Sequence, residues 1–181
     1  MSMGTGIGKV GGGSGDQTGN GPSESTSLSP HFTLAELTRS THGPNPVPEG
    51  FEKRLRRVAA KLEEARAILG VPLMVSPNGG YRCPSVNQSA GGSETSAHMF
   101  AMAADFNAKG LDREAAFRAL WAHPTFMQDV DQLILERGCI HMGLTLAQPR
   151  RQGRGDCDKN GQRHYPLLAI FPAPLPDGRL V

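Results

Sequence analysis

Ser96-Ala97-His98-Met99-Phe100-Ala101-Met102-Ala103-Ala104-Asp105 places an imidazole and a carboxylate seven positions apart in an otherwise small and apolar stretch. His98 ends a polar loop, and Asp105 interrupts the apolar run Ala101 to Phe106. An acid in such a run demands a partner, because a buried unpaired carboxylate is very costly. A second imidazole, His141, lies among the apolar residues of the strand candidate Ile140 to Leu144. Two His and one Asp are a three-ligand set of the kind that holds a catalytic zinc and leaves a fourth position for water. A structural Asp–His hydrogen bond is the other reading of the same residues. The zinc-peptidase helix motif HExxH, the Walker phosphate loop and GxSxG are absent.

Working outward, Gln132 to Glu136 is a second strand candidate, separated from Ile140 by so few residues that a hairpin is expected. Asp112 can cap a helix running to about Ala122, with Pro124 as its stop. Upstream, Leu73 to Val75 reads as a short strand and Asn78-Gly79-Gly80 as a turn. Pro84 to Thr95 reads as a polar loop. Phe51, Leu55, Val58, Leu62, Ala65 and Leu69 recur at three- and four-residue steps, which predicts an amphipathic helix. Gly70 is its expected C-cap, and its charged outer face is read as solvated. Thr33 and Glu36 form a capping box for a short helix Leu34 to Arg39, and Pro44, Pro46 and Pro48 impose an extended connection. Residues 147–163 read as an Arg/Gly-rich loop and Leu167 to Phe171 as a last strand. Together these elements predict an α+β domain with a small antiparallel sheet and flanking helices.

The chain has 181 residues, with 19 Lys+Arg against 17 Asp+Glu, and a formal charge of +2. That balance gives no case for a nucleic-acid partner. No apolar run approaches the roughly 18 residues of a membrane span, so no membrane partner is expected. The N-terminus shows no apolar segment behind a basic stretch, which argues against a cleaved signal peptide. Three cysteines, Cys83, Cys139 and Cys157, with no CxxC pair, read as neither a disulfide framework nor a thiolate zinc knuckle. Nine of the 23 Gly fall in the first 30 residues. Residues 1–30 are therefore read as a flexible Gly/Ser-rich head that cannot bury enough apolar surface to offset its ordering entropy, and residues 31–181 as the folding unit.

The segment Ser96 to Asp105 resembles the SxHxxGxAxD motif of the zinc D-Ala-D-Ala carboxypeptidases and related peptidoglycan peptidases. Other landmarks follow in that family's order. Phe32-Thr33-Leu34-Ala35-Glu36-Leu37 resembles its FTLxEL, Gly79-Gly80-Tyr81-Arg82 its SGYR, and Asn87 with Ala90-Gly91-Gly92-Ser93 its linking loop. Asp131-Gln132-Leu133-Ile134-Leu135-Glu136 resembles its DQLIxE, and Ile140-His141 the end of its WVH. The resemblance covers about residues 31 to 146.

The resemblance implies a Hedgehog/D,D-peptidase-like zinc fold and hydrolysis of peptide bonds in peptidoglycan stem or cross-bridge peptides. It implies that His98, Asp105 and His141 bind Zn2+. Arg82 matches an arginine that meets the substrate's carbonyl or carboxylate, a role its charged fork suits. Ser96 is expected to hydrogen-bond near His98, and Tyr81 to pack. Many relatives place a general base three residues before the last His. Here that position is Gly138, so Glu136, the nearest acid, is expected to move the proton. The motif's Gly, Ser and Trp are replaced by Ala101, Gly79 and Cys139. Ala101 is tolerable if its φ is negative, and Cys139 is expected to fill core. The missing export signal points to a phage-encoded enzyme, either a host-cytoplasmic endolysin before release or a virion protein whose residues 1–30 contact tail or baseplate proteins. A non-catalytic tail or baseplate module that retains the zinc fold is the alternative.

Overall fold

Residues 26–144 and the strand 152–155, together with Met1, are described by a computed structural model. The expected strand Leu167 to Phe171 lies outside the described residues, as do residues 2–25 and Cys157. In chain order the elements are α1 (Leu34–Thr38), α2 (Glu52–Leu69), β1 (Leu73–Val75), α3 (Pro84–Ser89), a 3-10 turn (Ala97–Phe100), β2 (Ala103–Ala108), α4 (Arg113–Trp121), α5 (Pro124–Met127), β3 (Val130–Leu135), β4 (Ile140–Leu144) and β5 (Gln152–Gly155).

The α+β expectation holds, with one addition to the sheet. Its order is β1-β2-β4-β3-β5. The first four strands are antiparallel, while β5 runs parallel to β3, with Gln132 opposite Gln152. That strand falls within the stretch read as loop. Gln-Gly-Arg-Gly carries no apolar alternation, so nothing in its composition marks it as paired.

Each antiparallel pairing fixes which side chains share a face, because cross-strand partners point the same way and neighbours along a strand point opposite ways. Leu73, Val75, Ala104, Phe106, Leu133, Ile140 and Met142 turn to one face and are buried. Leu55, Val58, Leu62 and Ala65 of α2 and Phe117 and Leu120 of α4 join them in a single core. His141 is the cross-strand partner of both Asp105 and Ile134, and the three share the other face.

A β-bulge sets this arrangement. Val130 pairs with Leu144, but Gln132, rather than Asp131, pairs with Gly143. Asp131 is thus the inserted residue. The extra residue lets Val130 face the core at one end of β3 while Gln132 and Ile134 face the site, and bulges serve to re-aim side chains in this way.

The helices follow their local signals. The capping box at α1 is closed in both directions, with Glu36 N donating to Thr33 Oγ1 at 3.2 Å and Thr33 N to Glu36 Oε2 at 2.9 Å. Gly70 ends α2 with φ of 67°. Asp112 caps α4 through Ala115 N at 2.9 Å. Pro124 does not only stop α4. It opens α5, where a missing N–H costs nothing. The polar stretch Pro84 to Thr95 likewise begins with a short helix, α3, opened by Pro84.

Two further expectations change. Lys61 is buried on the otherwise charged face of α2, donating to Phe126 O at 3.2 Å and Glu64 Oε2 at 2.7 Å, so it clamps α2 to α5. Residues 26–30, inside the stretch composition assigns to the head, are packed on the domain. Leu28 is buried, Leu34 N donates to Thr26 O at 2.8 Å, and both Ser29 Oγ and His31 N bond Glu63 of α2.

Ala101 does not have a negative φ. It sits in the left-handed region at φ 55° and is fully buried. That conformation costs an L-residue about 1–2 kcal/mol. Ala101→Gly removes the strain but also loses a buried methyl worth about 0.8 kcal/mol and adds freedom to the unfolded chain. Ala101→Gly should therefore stay within about 1 kcal/mol of the unmodified protein in urea unfolding. Ala101→Val should lose about 2 kcal/mol or more, because a β-branched residue fits neither this φ nor this space.

Candidate metal centre

His98 arrives on the 3-10 turn, Asp105 on β2 and His141 on β4. The three side chains converge. His141 Nδ1 lies 2.7 Å from Asp105 Oδ1, His98 Nε2 lies 3.2 Å from that same oxygen, and the two imidazole nitrogens are 3.1 Å apart. The antiparallel register makes Asp105 and His141 direct partners, so a one-residue slip would destroy the pair.

His98 is held from behind. Its Nδ1 lies 2.7 Å from the Gly80 carbonyl, which can only accept. Nδ1 therefore carries the proton and Nε2 presents a lone pair inward, the usual outer support of a metal-binding imidazole. This carbonyl takes the part expected of the Ser96 hydroxyl. The turn that delivers it must be glycine. A Cβ on Gly80 would stand 2.0 Å from Leu37 O, and one on Gly79 would stand 2.7 Å from Asp105 O. The serine of the SGYR pattern has no room here.

The second oxygen of Asp105 faces Arg82, whose Nη2 is 3.5 Å away. Arg82 is buried and thus holds the carboxylate with Oδ1 turned toward the two imidazoles. Burial pushes the Asp105 carboxyl upward. Its pairing with His98 and His141 outweighs that and holds it well below the usual carboxylate range. Burial pushes His98 down, keeping it neutral. An ionised carboxylate and a neutral imidazole are the forms a metal requires.

The donor set fits zinc. Donors about 2.0–2.1 Å from one ion in tetrahedral array lie about 3.3 Å from each other, close to the 2.7–3.2 Å separations found. His98, Asp105 and His141 would hold the ion, and three protein ligands leave a coordination position open.

The group opens into a cleft of about 360 Å³. Arg82, Ser93, Thr95 and Ser96 line it together with Asp131, Gln132 and Glu136. All five expected site residues, the two non-ligands Arg82 and Glu136 included, line this one cleft. Cys139 is a correction. It is only half-buried and fills no core. Its Sγ donates to Glu136 Oε2 at 3.7 Å, and burial, followed by the Asp105 and Glu136 carboxylates, pushes the thiol up so that it stays protonated.

Two contributors had no assigned role in the sequence reading. The Gly80 carbonyl is backbone and leaves no signal. Asp131 does leave one, since the successive polar pair Asp131-Gln132 breaks the alternation of its strand, as a bulge does.

His98 has a folded pKa below its ordinary 6.5, and Asp105 one below its ordinary 3.8. In both cases the unfolded state takes up protons first. Their stabilising contribution is complete above the ordinary values and is lost as pH falls, first through His98 below about 6.5 and then through Asp105. The metal-free protein should lose urea stability between pH 7.5 and 5, and His98→Gln should flatten that slope. An unchanged slope in the variant contradicts the assignment. The unmodified chain should also retain one equivalent of zinc after desalting, and Asp105→Ala or His141→Ala should retain almost none.

No curated protein matches the chain. A family model described as Peptidase M15 matches residues 30–142. That span runs from just before the α1 capping box to one residue past His141, so it includes the three candidate ligands and every residue lining the cleft. The chain belongs to the peptidase M15 family of zinc metallopeptidases, with His98, Asp105 and His141 as the group able to hold the zinc.

Proposed function

We propose that the protein hydrolyses peptide bonds of peptidoglycan stem or cross-bridge peptides, as a D,D-carboxypeptidase or endopeptidase of Hedgehog/D,D-peptidase-like fold. The observation that carries this reading is the shared cleft. A three-ligand metal group, a buried guanidinium and a carboxylate all border one cleft. Bound zinc would supply Lewis-acid polarisation of the carbonyl and activation of water.

The chain's own residues supply the rest. Arg82 faces the cleft beside Asp105 and can hold the carbonyl oxygen as charge develops on it, or a substrate carboxylate. Glu136 takes one proton from the attacking water onto a carboxylate oxygen and returns it to the leaving nitrogen. The balance is a C–N bond broken, a C–O bond formed, and one water consumed. The cleft's polar walls, with Ser93, Thr95 and Gln132, suit a hydrogen-bonding peptide backbone.

Digestion of purified peptidoglycan, with the products weighed by mass spectrometry, tests both the activity and the bond. Glu136→Gln should lower kcat about 10²- to 10⁴-fold while zinc content is unchanged. The second reading, a non-catalytic tail or baseplate module, is favoured by Gly138 at the position where relatives carry a base. It is adopted if the zinc-loaded unmodified protein releases no muropeptide. A phage-encoded, virion-associated setting, with residues 1–30 docking on tail or baseplate proteins, is part of the same proposal. Detection of the chain in purified particles tests it.

A further inference from the structure

We propose that Asn107 and Cys139 are positioning residues that fix the Glu136 carboxylate relative to the metal-ligand group. This rests on the reading of Glu136 as the proton carrier. Glu136 lies one residue beyond β3, in a tight turn closed by Glu136 N donating to Cys139 O at 2.9 Å. A Cβ built on Gly138 would meet nothing within 4 Å, so no packing restrains the turn at that residue. Two side-chain hydrogen bonds restrain it instead.

Asn107 Nδ2 donates to the Gly138 carbonyl at 2.8 Å. Asn107 stands two residues after Asp105 on β2, so it shares the face of that ligand. It ties the tip of the turn to the strand that carries Asp105. Cys139 stands two residues before His141, and its Sγ donates to Glu136 Oε2. It ties the carboxylate itself to the chain leading into the strand that carries His141. The thiol occupies Oε2, which leaves Oε1 as the oxygen that exchanges a proton. Each bond thus references Glu136 to a different ligand, and together they fix both the turn's height and the carboxylate's rotation. Neither residue touches the reacting atoms.

The test compares Asn107→Ala, Cys139→Ala, Cys139→Ser and Glu136→Gln in the zinc-loaded full chain. Rates are measured on soluble muropeptides, with zinc content and Tm measured in parallel. Misplacement of a reacting group by about 1 Å can cost about 100-fold. Asn107→Ala and Cys139→Ala should therefore each lower kcat about ten- to hundredfold, with KM and zinc content unchanged. Cys139→Ser keeps a donor and should stay close to the unmodified rate. Combined with Glu136→Gln, neither alanine change should lower the rate further. The proposal is overturned if Cys139→Ala matches the unmodified kcat, if the losses add in full on top of Glu136→Gln, or if they track zinc content or Tm. An impaired Glu136→Gln beside unimpaired Asn107 and Cys139 variants sinks the positioning role alone. An unimpaired Glu136→Gln sinks the proton-carrier reading, and this inference with it.

Discussion

The Asp105 carboxylate is the constraint on which the rest of the structure depends. It is a nearly buried anion, and removing the partner of such a group typically costs about 3–5 kcal/mol. Its oxygens are divided between two tasks. Oδ1 meets His141 at 2.7 Å and His98 at 3.2 Å, while Oδ2 meets Arg82 at 3.5 Å. Satisfying all three requires the β2–β4 register, the 3-10 turn and the Gly79–Gly80 turn to be in place at once. The backbone closes the same circuit, with Asp105 N donating to Gly79 O at 2.6 Å and Ser76 N donating to Asp105 O at 2.9 Å. Folding and site assembly are consequently one event, because the charge that would hold a metal is also the charge that the fold must compensate.

The sheet separates stability from chemistry by face. Phe106, Leu133, Ile140 and Met142 supply the buried surface shared with α2 and α4. The opposite face has polar and ionisable groups that gain nothing from apolar burial and are tolerable only through mutual pairing. This division places the ligands on rigid strands rather than on loops, so their separations are set by backbone hydrogen bonds. Only His98 comes from a non-sheet element, and the Gly80 carbonyl fixes its ring. The strained Ala101 immediately follows that turn at φ 55°, which fits the tendency of backbone strain to collect beside functional groups.

Much of this was legible from residue patterns. The capping box at Thr33 and Glu36, the five-turn stripe from Phe51 to Leu69 and the hairpin around Gly138 are local signals, and local physics decides them. His98, Asp105 and His141 were legible as chemistry because each is an ionisable group in an apolar setting. α5 was hidden because Pro124 serves equally well as a stop and as a first helical residue. β5 was hidden because a parallel pairing made through backbone groups needs no side-chain pattern. Periodicity places Lys61 on the charged face of α2 but does not report what lies above that face; Phe126 O and Glu64 make its burial tolerable. Cys139 was assigned to core because small thiols usually are buried, whereas here the neighbouring Glu136 gives it a hydrogen-bond partner at the cleft.

The amino-acid sequence by itself determined the α+β class, the main helices and three of the strands, since these follow from periodicity and caps, and its motif resemblance singled out the metal-binding trio. Tertiary structure alone decided that a glycine carbonyl orients His98, and that Asn107 and Cys139 reach the turn bearing Glu136. Those outcomes depend on register and on contacts between residues distant in the chain. A bulge of one residue inverts which side chains face the site, and no property of the residues taken singly records it.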